Sequence, residues 1–280
     1  NTVLSGVSLS GDRFFYENPL SADPVRNAFN VSRAKGLQEH LPILSRVKVF
    51  DCSCCPPNLL RFVGSIADYM YSVSGNTIYA HCYMDAQGEM ETSGGRMKLK
   101  QETGYPYDGK IRILTETEAT CEIALHLPSW AEQWKLTING KEAEAVLRKG
   151  YLYVQREWKC GDCLELELDM GIRFWESNPR VIDTSGRIAV TRGPLVFCAE
   201  GIDNEDLLLR DVRIKPMQEG KICFRQMEGT TLPVLELDAE AREEEADLYV
   251  KPGKSLRNVK LHLIPYFAWA NRQVTSMNTW

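Results

Sequence analysis

No uninterrupted apolar run in the 280 residues approaches the roughly 18–20 that a membrane-spanning helix needs. The opening Asn1-Thr2-Val3-Leu4-Ser5 has no basic stretch leading into an apolar core. No membrane partner is expected. Excess basic charge is missing too: 33 Lys+Arg stand against 38 Asp+Glu, a formal net charge of −5, which excludes a strongly basic nucleic-acid binder. There is no HExxH, P-loop, GxSxG or GxGxxG. Histidine is scarce, and His40, His81, His126 and His262 are scattered, so structural or surface roles are expected of them. There is no initiator Met, which points to a processed product or a piece of something longer.

What is present suits a folded protein. The chain is 44% hydrophobic, which excludes global disorder, and its length suggests two domains at about 100–200 residues each. Nine cysteines are an odd number and too sparse for a disulfide scaffold. Unpaired thiols favour a reducing compartment such as the cytoplasm. Cys82, Cys121, Cys198 and Cys223 sit singly in strand-like stretches and are expected to be buried as small hydrophobes. Cys160-Gly161-Asp162-Cys163 is a CxxC in a turn between two strands, with no second CxxC to complete a zinc ribbon, and is read as incidental.

Residues 3–16 alternate in polarity around Ser10-Gly11-Asp12, the pattern of a hairpin ending in Phe14-Phe15-Tyr16. Residues 21–45 have no clear pattern and are read as loop. Pro56-Pro57 then open a helix in which Leu59, Phe62, Val63, Ile66, Met70 and Val73 recur at helical spacing until Ser74-Gly75-Asn76. Beyond that point short strands alternate with Gly, Pro, Asn and Asp: 77–84, 96–102, 121–127, 136–139, 151–156 and 163–169. A second set begins near Asn178-Pro179: 187–192, 195–199, 222–225, 234–237 and 259–264. Such spacing implies β-sandwiches. The acidic run 238–247 reads as a solvated loop or short helix face. The fold class is therefore mainly β. Residues 76–175 and 176–280 form two jelly-roll-like sandwiches, the last strands of the second able to return to the first. One hairpin and one amphipathic helix cannot build a core, so residues 1–75 read as the end of a helical domain whose apolar stripe needs partners. An exposed apolar patch there favours self-association into a homo-oligomer.

The chemistry concentrates at Cys52-Ser53-Cys54-Cys55, directly before the helix. A helix amino end favours negative charge and lowers thiol pKa. Three neighbouring thiols also suit a soft-ligand site, most simply for Zn²⁺, that would need donors from elsewhere. On the residues alone a metal site, a reactive thiol and inert buried cysteines all stay open.

Cys54-Cys55-Pro56-Pro57-Asn58, followed by Leu59-Leu60-Arg61-Phe62 and Tyr69-Met70-Tyr71, resembles the hallmark of the β-L-arabinofuranosidases of glycoside hydrolase family 127. Supporting strings are Ser8-Leu9-Ser10-Gly11, Phe14-Phe15-Tyr16-Glu17-Asn18-Pro19-Leu20, Arg192-Gly193-Pro194-Leu195-Val196 and Pro265-Tyr266-Phe267-Ala268-Trp269-Ala270-Asn271-Arg272. The resemblance implies that residues 1–75 are the carboxy-terminal remnant of an (α/α)6-barrel catalytic domain. It implies a retaining glycosidase acting on an L-arabinose-containing oligosaccharide or glycan. Cys54 would be nucleophile and zinc ligand, Cys55 a ligand and Tyr16 a sugar contact, with Cys52 lining the same pocket. The family's other zinc ligands, a Glu and a Cys, and its acid/base Glu would all precede Asn1, so the 280 residues alone are expected to be inactive. Two competing readings are a non-catalytic carbohydrate-binding or structural β-sandwich protein with incidental cysteines, and a metal-sensing or redox module.

Overall fold

The structure, a computed structural model, describes residues 1–15, 18–24, 44–48, 54–242, 249 and 256–280. Its backbone forms two compact units, one of Leu60–Gly171 and one of Asn1–Leu59 with Ile172–Trp280. The described residues are mainly β, in three sheets with few helices.

In the first unit the chain alternates polar and apolar residues along most strands, so each strand has one side to hide. Gly95–Thr103 and Lys110–Thr115 bury every second residue. Period-two burial of this kind is satisfied here by laying two sheets face to face. One sheet has five strands, in the order Val146–Arg148, Tyr151–Trp158, Ala119–His126, Thr77–Ala80 and Tyr71–Ser74. The other has six: Ala86–Thr92, Gly95–Thr103, Lys110–Thr115, Cys163–Leu168, Trp134–Ile138 and Lys141–Glu142. Ile78, Ile123, Leu125 and Leu152 of the first meet Met97, Leu99, Ile111, Ile113 and Leu166 of the second in a single apolar cluster. Trp158 is fully buried and donates its indole N–H to the Cys121 carbonyl at 3.1 Å, so the ring enters the core without leaving a polar group unpaired. Asn139 and Gly140, both at positive φ, make the two-residue hairpin turn that their sequence announces.

The second unit is built on a nine-stranded sheet. Its path runs Ser21–Ala22, Met277–Asn278, Leu195–Glu200, Leu256–Pro265, Thr230–Arg242 and Arg213–Ile214; Ile172–Glu176, Ile188–Arg192 and Lys221–Met227 attach beside it. The amino-terminal segment is part of this unit. Ser21 and Ala22 pair with Asn278 and Met277, and Phe14 bridges to both Val7 and Val47.

Several expectations are revised. Among the described residues the hairpin expected at 3–16 narrows to the Val7–Phe14 bridge, because Thr2–Ser5 form a short helix. The helix that begins at Cys55 ends at Gly64, where Ser65 N–H turns back to the Arg61 and Phe62 carbonyls. A 3₁₀ turn, Ile66–Tyr69, follows, and Tyr71–Ser74 is strand because it pairs with Thr77–Ala80 across Gly75-Asn76. Within the expected loop 21–45, Ser21–Ala22 is strand; residues 25–43 lie outside the described part. Residues 238–242 of the acidic run are the end of the long strand Thr230–Arg242, in which buried Ala239 and Ala241 alternate with outward Asp238 and Glu240. Cys121 and Cys198 are fully buried as expected, but Cys82 is only half-buried and Cys223 is exposed on the strand Lys221–Met227.

Candidate functional site

Cys54 immediately precedes the ten-residue helix Cys55–Gly64, and Cys55 is its first residue. Pro56 and Pro57 fill the next two positions. Their fixed φ suits a first turn, where no carbonyl is available to accept an N–H in any case. They also thin the set of donors that a helix amino end offers a thiolate, leaving the amides of Cys55 and Asn58 in the first turn. Both thiols are exposed, and their sulfurs lie 3.6 Å apart. No disulfide joins the described cysteines.

That separation bears directly on metal binding. Two sulfurs each about 2.3 Å from one zinc ion at a tetrahedral angle lie about 3.8 Å apart, so the 3.6 Å pair is close to the spacing of two vertices of one coordination sphere. Among the described residues no cluster of three or more His, Cys, Asp or Glu is placed to hold a metal. Cys54 and Cys55 therefore supply a fitting half of a tetrahedron. Tyr16 and Cys52, the other two expected site residues, lie outside the described part, as does His40.

Two of the supporting strings near the amino end meet the one near the carboxy end. Phe15 is buried and stacks on Trp269, ring centroids 4.9 Å apart and planes 14° from parallel. Arg46 caps the Phe15 ring at 4.4 Å. It is only 4% exposed and donates to backbone carbonyls: Nη2 to Ser5 at 2.8 Å, Nη1 to Trp269 at 2.5 Å and Nη2 to Phe267 at 3.3 Å. Desolvation lowers its pKa to about 10, partly offset by the Glu200 charge, so it stays a cation at neutral pH. Asn271 accepts the Leu9 N–H at 2.8 Å, and Tyr266 donates to the Pro19 carbonyl at 2.9 Å. At the other end Asn1 donates to the carbonyl of Pro194, in the turn between two strands, and accepts the N–H of Val196 on the second of them.

Behind this lies a buried ionic cluster. Arg272 contacts Glu200 at 2.5 Å and Asp203 at 2.6 Å; Asp203 also takes Arg225 at 2.8 Å. Burial pushes the Glu200 carboxyl up, and bonds from the Ala270 N–H and Arg272 only partly counter it. Burial also raises Asp203, but Arg272 and Arg225 together outweigh this and hold it below the ordinary carboxylate range. Sequence reading missed Arg46, Glu200 and Asp203.

Family comparisons give these strings a common origin. A model described as the GH127 β-L-arabinofuranosidase catalytic domain matches residues 1–68, the GH127 middle domain matches 77–170, and the family's carboxy-terminal domain matches 172–280. The chain belongs to glycoside hydrolase family 127. Within this family it is 30% identical to the non-reducing end β-L-arabinofuranosidase of Bifidobacterium longum subsp. longum, over 99% of this chain and 43% of that protein. The crystal structure of a GH127 β-L-arabinofuranosidase from Geobacillus stearothermophilus T6 superposes with a TM-score of 0.89 at 31% identity, covering 100% of this chain and 44% of that one. A second solved GH127 β-arabinofuranosidase gives 0.84 at 32% identity, over 100% and 43%. The family 127 chain thus spans less than half the length of the relatives it matches, and its share of the catalytic domain is the stretch that contains the cysteine pair.

Proposed function

We propose that the chain is the carboxy-terminal part of a retaining β-L-arabinofuranosidase, with Cys54 as nucleophile and Cys54 and Cys55 as two of the ligands of a zinc ion. The observation that carries this reading is the sulfur pair, 3.6 Å apart and exposed at the start of the helix, within the catalytic-domain match. Bound zinc would supply the positive charge that keeps both sulfurs deprotonated at neutral pH.

In the reaction, the Cys54 thiolate attacks the anomeric carbon of a terminal L-arabinofuranosyl unit. A carbon–sulfur bond forms as the glycosidic carbon–oxygen bond breaks, and a carboxylic acid gives its proton to the leaving oxygen. Water, deprotonated by the same carboxylate, then displaces the sulfur and restores both groups. Tyr16 and Cys52 would border the sugar. The acid/base carboxyl and the remaining metal donors are assigned to the part of the catalytic domain that these 280 residues do not include, so the chain by itself turns over no substrate. Its substrate class is an L-arabinose-containing glycan, as the names of the relatives suggest.

The test is p-nitrophenol release from p-nitrophenyl β-L-arabinofuranoside. The 280-residue chain is expected to release none. A polypeptide joining it to the remainder of a family 127 catalytic domain is expected to be active, to lose at least about a thousandfold in kcat with Cys54→Ser, and to lose zinc with Cys55→Ser. Activity indifferent to Cys54→Ser would leave the non-catalytic reading of the cysteines standing.

A further inference from the structure

One cavity in the unit that contains Ile172–Trp280 has no part in the reading above. Its volume is about 460 Å³, within the range of about 300–1,000 Å³ typical of small-molecule sites. One wall is the nine-stranded sheet. Val190, Phe197 and Leu263, on neighbouring strands and each nearly fully buried, give it an apolar floor. Among the described residues the rim is rich in cations: Arg187, Arg210, Arg213 and Arg242 line it beside one acidic side chain, Asp211.

The arginines are not equivalent. Arg242 is held by Asp211 at 3.2 Å, and Arg210 reaches Asp23 at 3.7 Å. Arg187 and Arg213 have no side-chain partner among the described residues and are exposed at the mouth. Ser185 and Asn278 line the same cavity, and their side chains are likewise without a side-chain partner among the described residues.

We infer that this cavity binds an acidic saccharide, a sugar bearing a carboxylate. The guanidinium fork of arginine matches a carboxylate in shape and charge. Ser185 and Asn278 can exchange hydrogen bonds with hydroxyls, and the C–H face of a sugar ring suits the apolar floor. A bare inorganic anion would leave that floor uncovered. A neutral sugar would leave the two arginines unanswered.

Calorimetric titration of the chain with trigalacturonic acid, its methyl ester and inorganic phosphate tests the proposal. The acid is expected to bind saturably and more weakly as salt rises. Its affinity should fall about tenfold or more in Arg187→Ala/Arg213→Ala, given what a charged hydrogen bond contributes. Ser185→Trp, which plugs the mouth, should abolish binding, with both variants showing wild-type circular dichroism and melting. The methyl ester, identical in body but uncharged, should not compete. No binding of the acid, equal binding of the ester, binding unchanged in the arginine variant, or phosphate binding as tightly as the saccharide would each overturn it.

Discussion

Arg46 and the Glu200–Asp203–Arg272 cluster carry most of the unusual energetics at the residue scale. A buried guanidinium is tolerable only when its donors are used, and Arg46 spends them on carbonyls far away in sequence, at Ser5, Phe267 and Trp269. In the cluster two carboxylates share one arginine but titrate in opposite directions. The folded-state pKa of Asp203 is depressed, so its contribution is present above the ordinary carboxylate value and is lost as pH falls through the folded pKa. That of Glu200 is raised, so its contribution is complete below the ordinary value and is lost as pH rises through the folded pKa. Asp203→Asn should therefore destabilise more at pH 7 than Glu200→Gln, and Glu200→Gln should gain on the wild type as pH rises through the carboxylate range. Urea denaturation of both variants between pH 4 and 7 on the order of one pH unit per step checks this; the reverse order at pH 7 would contradict it. None of it was legible in the sequence, since a charge that bonds backbone hundreds of positions away leaves no local pattern. By contrast Cys121 and Cys198 could be placed from their neighbours alone, because strand alternation is local. Cys223 could not, because an outward position on the strand Lys221–Met227 has no apolar face to hide in.

Elements follow the sequence where pattern and partner agree and depart from it where they conflict. Cys55–Gly64 is a helix whose first turn the two prolines fit. Helical spacing continues to Val73, yet Tyr71–Ser74 is drawn into strand by pairing with Thr77–Ala80, a tertiary gain that spacing alone cannot register. Likewise the acidic run looks solvated when charges are counted, but Ala239 and Ala241 between the acids supply the buried side of a strand. The cysteine pair stood out as a candidate through its string, whereas its 3.6 Å geometry required the structure. Close packing of elements also fixes particular residues. At Gly94, in the turn joining Ala86–Thr92 to Gly95–Thr103, a Cβ would overlap the Thr120 carbonyl and press on Asn76 at 2.6 Å. Since backbone cannot yield as a side-chain tip can, Gly94→Ala should cost about 1–3 kcal/mol, read as a lowered urea midpoint with unchanged slope. An unaltered midpoint would mean that the turn moves freely.

For the whole molecule, the division of the chain is not the division of the sequence. The stretch that matches the catalytic domain puts Ser21–Ala22 into the same sheet as Met277–Asn278, so its amino-terminal part folds with the last domain, while Leu60–Gly171 has its own two-sheet core. Residues 60–171 expressed alone should therefore give a cooperative thermal transition and dispersed amide resonances; a broad transition would show that this core is insufficient. The broad mainly β class was readable from turn residues and alternation. The joining of the first and last segments was not, because nothing local encodes a pairing between positions more than 250 residues apart. The proposed reaction turns on sulfur chemistry at Cys54. Intact-mass and peptide analysis of the joined polypeptide, quenched with acid during turnover of p-nitrophenyl β-L-arabinofuranoside, should find one pentosyl group on the peptide containing Cys54, absent in Cys54→Ser. A pentosyl group on a carboxylate, with Cys54 unmodified, would contradict it.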